Sequence, residues 1–176
     1  MKITPTRLQG AFVIEPERIE DDRGFFARTW SQKLYEEFGL DSRVVECSIS
    51  FNISTGTLRG MHYQAAPYAE VKLVRCTAGA IYDCIVDLRS SSPTFKGWVA
   101  VELSAENRLL LYVPEGFAHG FLTLQNGSEV LYQMSAPYLP ASARGVRWDD
   151  PAFGIEWPGP IQVINERDRG FPDFDE

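Results

Sequence analysis

The two histidines of this chain are its first candidates for chemistry. Each lies among glycines, arginines and aromatic residues, in the segments Arg59-Gly-Met-His62-Tyr-Gln64 and Pro114-Glu-Gly-Phe-Ala-His119-Gly. Histidine is the side chain whose ordinary pKa lies nearest neutrality, and a neighbouring glycine lets a substrate approach the backbone closely. Both histidines are therefore predicted to act in acid–base chemistry or in binding, and a structural role is the alternative for each.

The composition fits one globular domain over residues 1–176 and argues against a nucleic-acid partner. The chain is 44% hydrophobic and 23% charged, and chains divide into separate cores only beyond about 250 residues. Its net charge is −7, and its Lys and Arg residues form no basic cluster. DNA and RNA are therefore excluded as partners. An anionic small ligand would need arginines gathered locally in a pocket.

The cysteines and the absence of long apolar runs predict a cytoplasmic protein. Cys47, Cys76 and Cys84 are odd in number and widely spaced, which argues against a disulfide framework or a zinc site. No run approaches the ~20 apolar residues of a membrane helix, and the N-terminus lacks the pattern of a signal peptide. We expect neither membrane association nor targeting.

Short apolar segments separated by Gly, Pro and Asn recur every eight to twelve residues, which predicts an all-β sandwich or barrel. Complete alternation between Val45 and Ser54 gives that strand one polar face, which either meets solvent or lines a wet interior. Only Ser31 to Phe38 looks helical, with Ser31 as N-cap, and the chain after Pro137 is predicted to form an irregular arm over the barrel. The other predicted strands are Ala11 to Glu15, Val71 to Cys76, Ala80 to Leu88, Trp98 to Leu103, Arg108 to Val113, His119 to Leu124 and Ser128 to Met134.

The segments around the histidines resemble the paired signatures of the cupin superfamily, a small double-sheet jelly roll. Metal-binding cupins have a second histidine two residues after the first, and here that position is Gln64. Because one imidazole is lost, we expect no metal and no other cofactor. Organic acid–base groups are then needed. A metal-dependent cupin enzyme and a catalytically silent sugar-nucleotide-binding jelly roll stay as alternatives.

A longer set of ordered motifs is similar to the dTDP-4-dehydrorhamnose 3,5-epimerase family. The resemblance runs from Asp22 to Asp168, and its strings include Asp22-Arg-Gly-Phe-Phe26, Gly56-Thr-Leu-Arg-Gly-Met-His-Tyr-Gln64, Lys72-Leu-Val-Arg75, Asp83-x-x-Val-Asp-Leu-Arg89, Ser92-Pro-Thr94, Pro114-Glu-Gly-Phe-Ala-His-Gly-Phe121, Trp148-x-Asp-Pro151 and Ile155-Glu-Trp-Pro158. It implies a metal-free cupin homodimer that inverts C3, C5 or both in a nucleoside-diphosphate 4-keto-6-deoxyhexose, a step of deoxysugar biosynthesis.

The resemblance also implies roles for single residues. His62 would be the base, Asp168 its orienting partner, Lys72 the counter-charge of the enolate and Tyr132 the proton donor, a chemistry that suits a proton next to a ketone. An ion pair with Glu70 is the structural alternative for Lys72, and packing is the alternative for Tyr132. The residues implied in substrate binding are Arg23, Phe26, Arg28, Glu46, Ser48, Arg59, His119, Tyr138, Arg144 and Arg167, with Tyr138 stacking on the nucleobase.

Two single positions and one polar strand depart from the family pattern. Arg28 and Arg144 replace glutamates, and the polar strand usually written Gln-x-Asn-x-Ser corresponds here to Glu46, Ser48 and Ser50. These positions contact the nucleotide in the family, not the reacting carbons. Thymidine specificity is therefore left open: the nucleotide is thymidine, guanosine or cytidine diphosphate, or the sugar differs.

Overall fold

Two antiparallel β-sheets form the framework of the protein in the computed structural model, which describes residues 1–175. Within that range the strands are β1 (Lys2–Pro5), β2 (Phe12–Glu15), β3 (Arg18–Asp21), β4 (Gly24–Ala27), β5 (Glu46–Asn52), β6 (Leu58–Gln64), β7 (Lys72–Ala78), β8 (Ala80–Asp87), β9 (Trp98–Ser104), β10 (Leu110–Val113), β11 (Phe117–Thr123), β12 (Ser128–Met134) and β13 (Ala143–Gly145). The helices are α1 (Gln32–Glu37) and α2 (Glu166–Arg169).

The sheets have six and five strands. The order in the larger sheet is β1-β2-β10-β7-β12-β5, and in the smaller one it is β13-β6-β11-β8-β9. Strands β3 and β4 form a separate hairpin. Side chains from both sheets, among them Val74, Ile81, Ile85, Leu111 and Phe121, are buried in one cluster between them. This face-to-face arrangement confirms the predicted all-β jelly roll.

The predicted strands are present, with ends that differ by one or two residues, and β12 has the predicted bounds. The alternation pattern did not predict β1, β3, β4, β6 or β13. Helix α1 begins at the expected N-cap, Ser31, but the Ser31 side chain makes no capping hydrogen bond. The arm after Pro137 is mostly irregular, as predicted, with β13 and α2 as its ordered parts.

The polar face of β5 points inward. Ser48 and Ser50 line a cavity and Asn52 is buried, whereas Ile49 and Phe51 on the other face are 63% and 58% exposed. The polar face of β5 therefore lines the interior and does not meet bulk solvent on the outside of the sheet. Because the polar side chains face inward, the apolar side chains of β5, an edge strand of the six-stranded sheet, are exposed on the outside.

Among residues 1–175, no helix is long and apolar enough to cross a membrane.

Candidate active site

A cavity of about 290 Å³ opens between the two sheets. Most of the predicted site residues lie around it, together with several aromatic and polar neighbours. Its lining consists of Ser48, Ser50, Arg59, His62, Tyr63, Gln64, Glu70, Lys72, His119, Phe121, Tyr132, Met134, Tyr138, Ala143, Arg144 and Arg167.

The two histidines are direct neighbours across the pair of strands β6 and β11. His119 lies opposite His62 in the register, and a bulge follows between His119 and Phe121. Gly60 and Gly120 let the strands approach closely at this point, because a Cβ on Gly120 would lie 2.6 Å from Met61 Sδ and 2.7 Å from the Arg59 carbonyl oxygen. Both imidazoles line the cavity.

His62 is held by an aspartate of the C-terminal arm, as the resemblance implied. Its Nε2 lies 2.7 Å from Asp168 Oδ1, and Asp168 Oδ2 accepts from the backbone N–H of Gly60 at 3.0 Å. Asp168 is in α2, whose N-cap Asn165 accepts from the Asp168 N–H through its side chain. With Nε2 donating to Asp168, the His62 Nδ1 has a free lone pair, which is the form a general base needs.

The carboxyl of Asp168 stays ionised in this environment. Burial opposes the charged form, but the hydrogen bond and charge of His62, the Gly60 N–H and the charge of Arg167 together lower the pKa of Asp168 below its ordinary value. A charged Asp168 favours the protonated imidazole that forms once His62 has taken a proton. The pair is thus equipped to accept a proton from a bound molecule.

His119 has its own carboxylate, which the sequence had shown only as part of a motif. Asp83 Oδ1 lies 2.7 Å from His119 Nε2, and Asp83 is completely buried. A signal for Asp83 was available, since it lies between the apolar Ile81 and Ile85 on the same face of a predicted strand, and a charged side chain in such a position is rarely buried without a partner.

Lys72 and Tyr132 face the histidines from the six-stranded sheet. Lys72 is on β7 and Tyr132 on the adjacent β12. The Lys72 Nζ lies 3.0 Å from Glu70 Oε1 and 3.5 Å from the His62 carbonyl oxygen. The ion pair named as the structural alternative therefore exists, and Lys72 nevertheless lines the cavity. Glu70 holds the ammonium at the cavity wall.

Tyr132 keeps its proton at neutral pH. Burial raises the pKa of its hydroxyl, the charge of Asp83 adds to that effect, and a hydrogen bond with Ser50 (3.3 Å between the oxygens) only partly offsets them. Its ring packs edge-on against His119, with 6.0 Å between the ring centroids. A neutral phenol inside the cavity is a proton donor that carries no charge.

Three guanidinium groups surround the rest of the cavity. Arg59 donates from Nε to Asn52 Oδ1 at 2.7 Å and from Nη2 to the Phe51 carbonyl oxygen at 3.3 Å. Arg144, which is exposed, donates to two backbone carbonyl oxygens of its own segment, and Arg167 is exposed beside Asp168. This local gathering of cations in a chain of net charge −7 is what an anionic ligand requires.

Four predicted binding residues are not among the residues that line this cavity. Arg23 is at the turn of the β3–β4 hairpin, where it pairs with Asp21 at 2.5 Å and its side chain is 89% exposed. Phe26 and Arg28 line a separate groove near α1. Glu46 accepts from the backbone N–H of Tyr138 at 3.3 Å instead of facing the cavity. Within one chain, the described structure therefore does not bring these residues to the site.

Sequence reasoning assigned no role to Phe171. For Gln64 it indicated only that this residue stands where metal-binding cupins have a second histidine. The Phe171 ring packs edge-on against His62 at 6.0 Å between centroids, and it fills the space beside Gly145. Gln64 is buried and hydrogen-bonded on both sides of its amide. Within residues 1–175, no group of three His, Cys, Asp or Glu side chains is arranged to hold a metal ion.

Comparison with known proteins decides the family. The model of the family described as dTDP-4-dehydrorhamnose 3,5-epimerase matches residues 5–176. The chain belongs to this family. A dTDP-4-dehydrorhamnose 3,5-epimerase of Sinorhizobium fredii is 44% identical over 161 residues, which is 91% of this chain and 83% of the relative. The expected family, isomerase class and epimerase function are confirmed.

Solved structures of the epimerase family have the same fold. The enzyme of Elizabethkingia anophelis is 40% identical, with a TM-score of 0.96 over 99% of this chain and 96% of that one. The enzyme of Bacillus anthracis, solved with TDP and PPi bound, is 40% identical, with a TM-score of 0.94 over 98% of this chain and 99% of that one. The cupin-like jelly roll is thus shared over nearly the whole chain.

Proposed function

We propose that this cavity epimerises a dTDP-linked 4-keto-6-deoxyhexose at C3 and C5, with His62 as base and Tyr132 as acid. The observation that carries the proposal is the placement of the two groups on opposite sheets, His62 on β6 and Tyr132 on β12. Inversion requires that a proton leave one face of the sugar ring and return to the other. A sugar held between the sheets would have the base on one side and the acid on the other.

Each inversion proceeds in two balanced steps. His62 Nδ1 takes the proton next to the C4 ketone, and the electron pair of the broken C–H bond moves to the ketone oxygen as an enolate. The ammonium of Lys72 stabilises that oxygen. The enolate then reforms the ketone as the same carbon takes the proton of the Tyr132 hydroxyl from the opposite face. Exchange with water restores both groups before the second carbon reacts.

The cations at the cavity support a nucleoside diphosphate as the other half of the substrate. The guanidinium groups of Arg59 and Arg167 line the cavity together with His62 and His119, and guanidinium groups bind phosphate oxygens in pairs. We place the nucleobase against Tyr138, which lines the cavity and is 53% exposed. Thymine is the nucleobase proposed, since related enzymes carry dTDP in their names and one was solved with TDP.

The working unit is proposed to be a homodimer in which each hairpin serves the partner's cavity. Arg23, Phe26 and Arg28 match binding positions in sequence but lie away from the cavity of their own chain. Ile49 and Phe51 expose apolar surface that a second copy would cover. One arrangement thus accounts for the displaced residues and for the exposed surface.

The remaining expectations stay part of the proposal. We propose that residues 1–176 act as a single cupin domain in the cytoplasm, without a metal or another cofactor. The three cysteines are free, and two of them, Cys76 and Cys84, are buried. Free cysteines fit a reducing compartment.

The proposal is tested by NMR of the dTDP-linked 4-keto-6-deoxyglucose incubated with the protein in deuterated water. We expect deuterium at both C3 and C5, and one labelled carbon would instead mean a single epimerisation. His62→Asn should abolish labelling, because no base remains to break the C–H bond. Tyr132→Phe, which removes only the hydroxyl, should keep labelling but lose inversion.

Control arms separate the alternatives. Loss of activity with a chelator would favour a metal-dependent cupin, and absence of labelling in the wild-type protein would favour a silent binding protein. Guanosine and cytidine diphosphate sugars test the nucleotide. Faster turnover of either of these sugars than of the dTDP-linked sugar would contradict the proposal of thymidine as the nucleoside.

A further inference from the structure

Gln64 is the most heavily hydrogen-bonded side chain of the cavity wall. It is 4% exposed, and its Nε2 lies within reach of three acceptors: the Tyr68 carbonyl oxygen at 3.1 Å, the Pro137 carbonyl oxygen at 3.2 Å and Glu70 Oε2 at 3.3 Å. Its Oε1 accepts from the Leu139 N–H at 2.7 Å. A buried amide with this many partners fixes the elements that supply them.

Two of these partners flank Tyr138. The Pro137 carbonyl and the Leu139 N–H are both bonded to Gln64, and the Tyr138 N–H between them is bonded to Glu46. Three consecutive residues of the connection between β12 and β13 are thus held through their backbone by side chains of β6 and β5. The Tyr138 ring itself is left half-exposed at the rim of the cavity.

We propose that Gln64 is a positioning residue for substrate affinity, because its amide holds residues 137–139 so that the Tyr138 ring is fixed at the cavity rim as a platform for the nucleobase. The inference rests on the proposed function, in which Tyr138 stacks on that base. A platform that is already ordered loses little further freedom when the nucleotide binds, and affinity is higher for that reason. The same amide that replaces a metal ligand thereby acquires a role in binding.

The inference separates affinity from rate. Gln64 contacts Glu70 through Oε2, whereas Lys72 pairs with Oε1 of the same carboxylate. His62 is held by Asp168 and Tyr132 bonds to Ser50, so neither reacting group depends on Gln64. Loss of the amide should therefore weaken nucleotide binding more than it slows proton transfer.

The test is a double-mutant cycle in which dTDP binding is measured by calorimetry. Gln64→Met keeps the length of the side chain but removes its hydrogen bonds, and we expect affinity for dTDP to fall about tenfold while kcat falls less than about threefold. Tyr138→Ala should weaken dTDP binding at least as much. In the Tyr138→Ala background, Gln64→Met should add less than about a twofold loss, since its effect acts through the missing ring.

Each other outcome overturns the inference. If the losses of dTDP affinity in Gln64→Met and Tyr138→Ala multiply in the double variant, Gln64 does not act through Tyr138. If Gln64→Met binds dTDP as tightly as the wild type, Gln64 does not position the ring, and if Tyr138→Ala does so, the ring is not a platform for the nucleobase. If Gln64→Met does not fold, Gln64→Asn keeps an amide that is one methylene too short, and an increase in KM without a comparable fall in kcat is expected there too. A wild-type protein that labels no sugar in deuterated water would refute the proposed reaction, whereas the dTDP cycle would still decide the role of Gln64.

Discussion

At the scale of single residues, the two histidines differ by exposure and not by chemistry. Each has a carboxylate oxygen 2.7 Å from Nε2, but the His62 side chain is 38% exposed and the His119 side chain 5%. A base must reach a carbon-bound proton, so access favours His62. His119, which is buried beside Asp83 and packed against Tyr132, is better suited to holding the substrate and the acid in place.

Replacing the carboxylate behind the base tests this assignment. Asp168→Asn removes the charge that orients His62 and stabilises its protonated form, so we expect labelling of the sugar in deuterated water to slow by at least about a hundredfold. Asp173→Asn makes the same change at an exposed position of the same arm and should leave the rate unaltered. A fall of less than about threefold in Asp168→Asn would show that His62 needs no oriented partner.

The pKa of Asp168 also gives a stability prediction. Because the folded protein lowers this pKa below 3.8, its value for an unperturbed carboxyl, the charged form stabilises the fold at pH values above about 4. That stabilisation is lost as the pH falls through the folded-state pKa. The free energy of unfolding in urea should therefore fall more steeply below pH 4 for the wild type than for Asp168→Asn. Parallel plots of that free energy against pH would contradict the lowered pKa of Asp168.

At the scale of elements, the pairing of β6 with β11 determines the site. Gly60 has a φ of +122°, and a Cβ there would lie 2.5 Å from the Gly120 Cα. The backbones can approach this closely only because both residues lack a side chain. The two histidines are neighbours as a result of this contact.

A methyl group at Gly120 should separate the two strands. Gly120→Ala places a Cβ within 2.7 Å of the Arg59 carbonyl oxygen, and we expect it to lower the free energy of unfolding by about 1–3 kcal/mol and to reduce kcat. Gly159→Ala, where no heavy atom beyond the adjacent residues lies within 4 Å of the added Cβ, is the matched control. Chemical unfolding and the deuterium-labelling rate measure both effects. If the two variants behaved alike, the close approach would not matter to the site.

The same elements show how far sequence reasoning extends. Ser128–Met134 alternates cleanly and was predicted with its observed bounds, because a half-buried strand has a period of two. Strand β6, which carries the base, was presumed around Arg59 but was not among the strands predicted from alternation, since Gly60 and the buried Met61 break the pattern. His62 was a candidate from its residue type and its neighbours, and the resemblance assigned it the role of base. For Asp83 the strand was predicted but the role was not, because that role depends on the contact of Asp83 on β8 with His119 on the neighbouring strand β11.

At the scale of the whole molecule, the site is assembled from both sheets, the C-terminal arm and, in our proposal, a second chain. Sequence motifs matched Arg23, Arg59 and Arg167 alike to substrate-binding positions, although only the last two line the cavity. Motif matches carry no information about which copy of a chain supplies a residue. The position of the hairpin in three dimensions is what separates these arginines.

Mixed dimers decide whether the hairpin serves the partner's cavity. His62→Asn should be inactive alone because it lacks the base, and Arg23→Ala should be weakly active alone because it lacks a phosphate-binding cation. If Arg23 reaches across, dimers formed from one chain of each kind contain one complete cavity, and mixing should restore up to about half of the wild-type activity per dimer. If Arg23 serves its own chain, no complete cavity forms and mixing restores nothing. Light scattering of Ile49→Asp provides the independent check, since a charge on the exposed apolar surface should yield monomers and prevent the recovery.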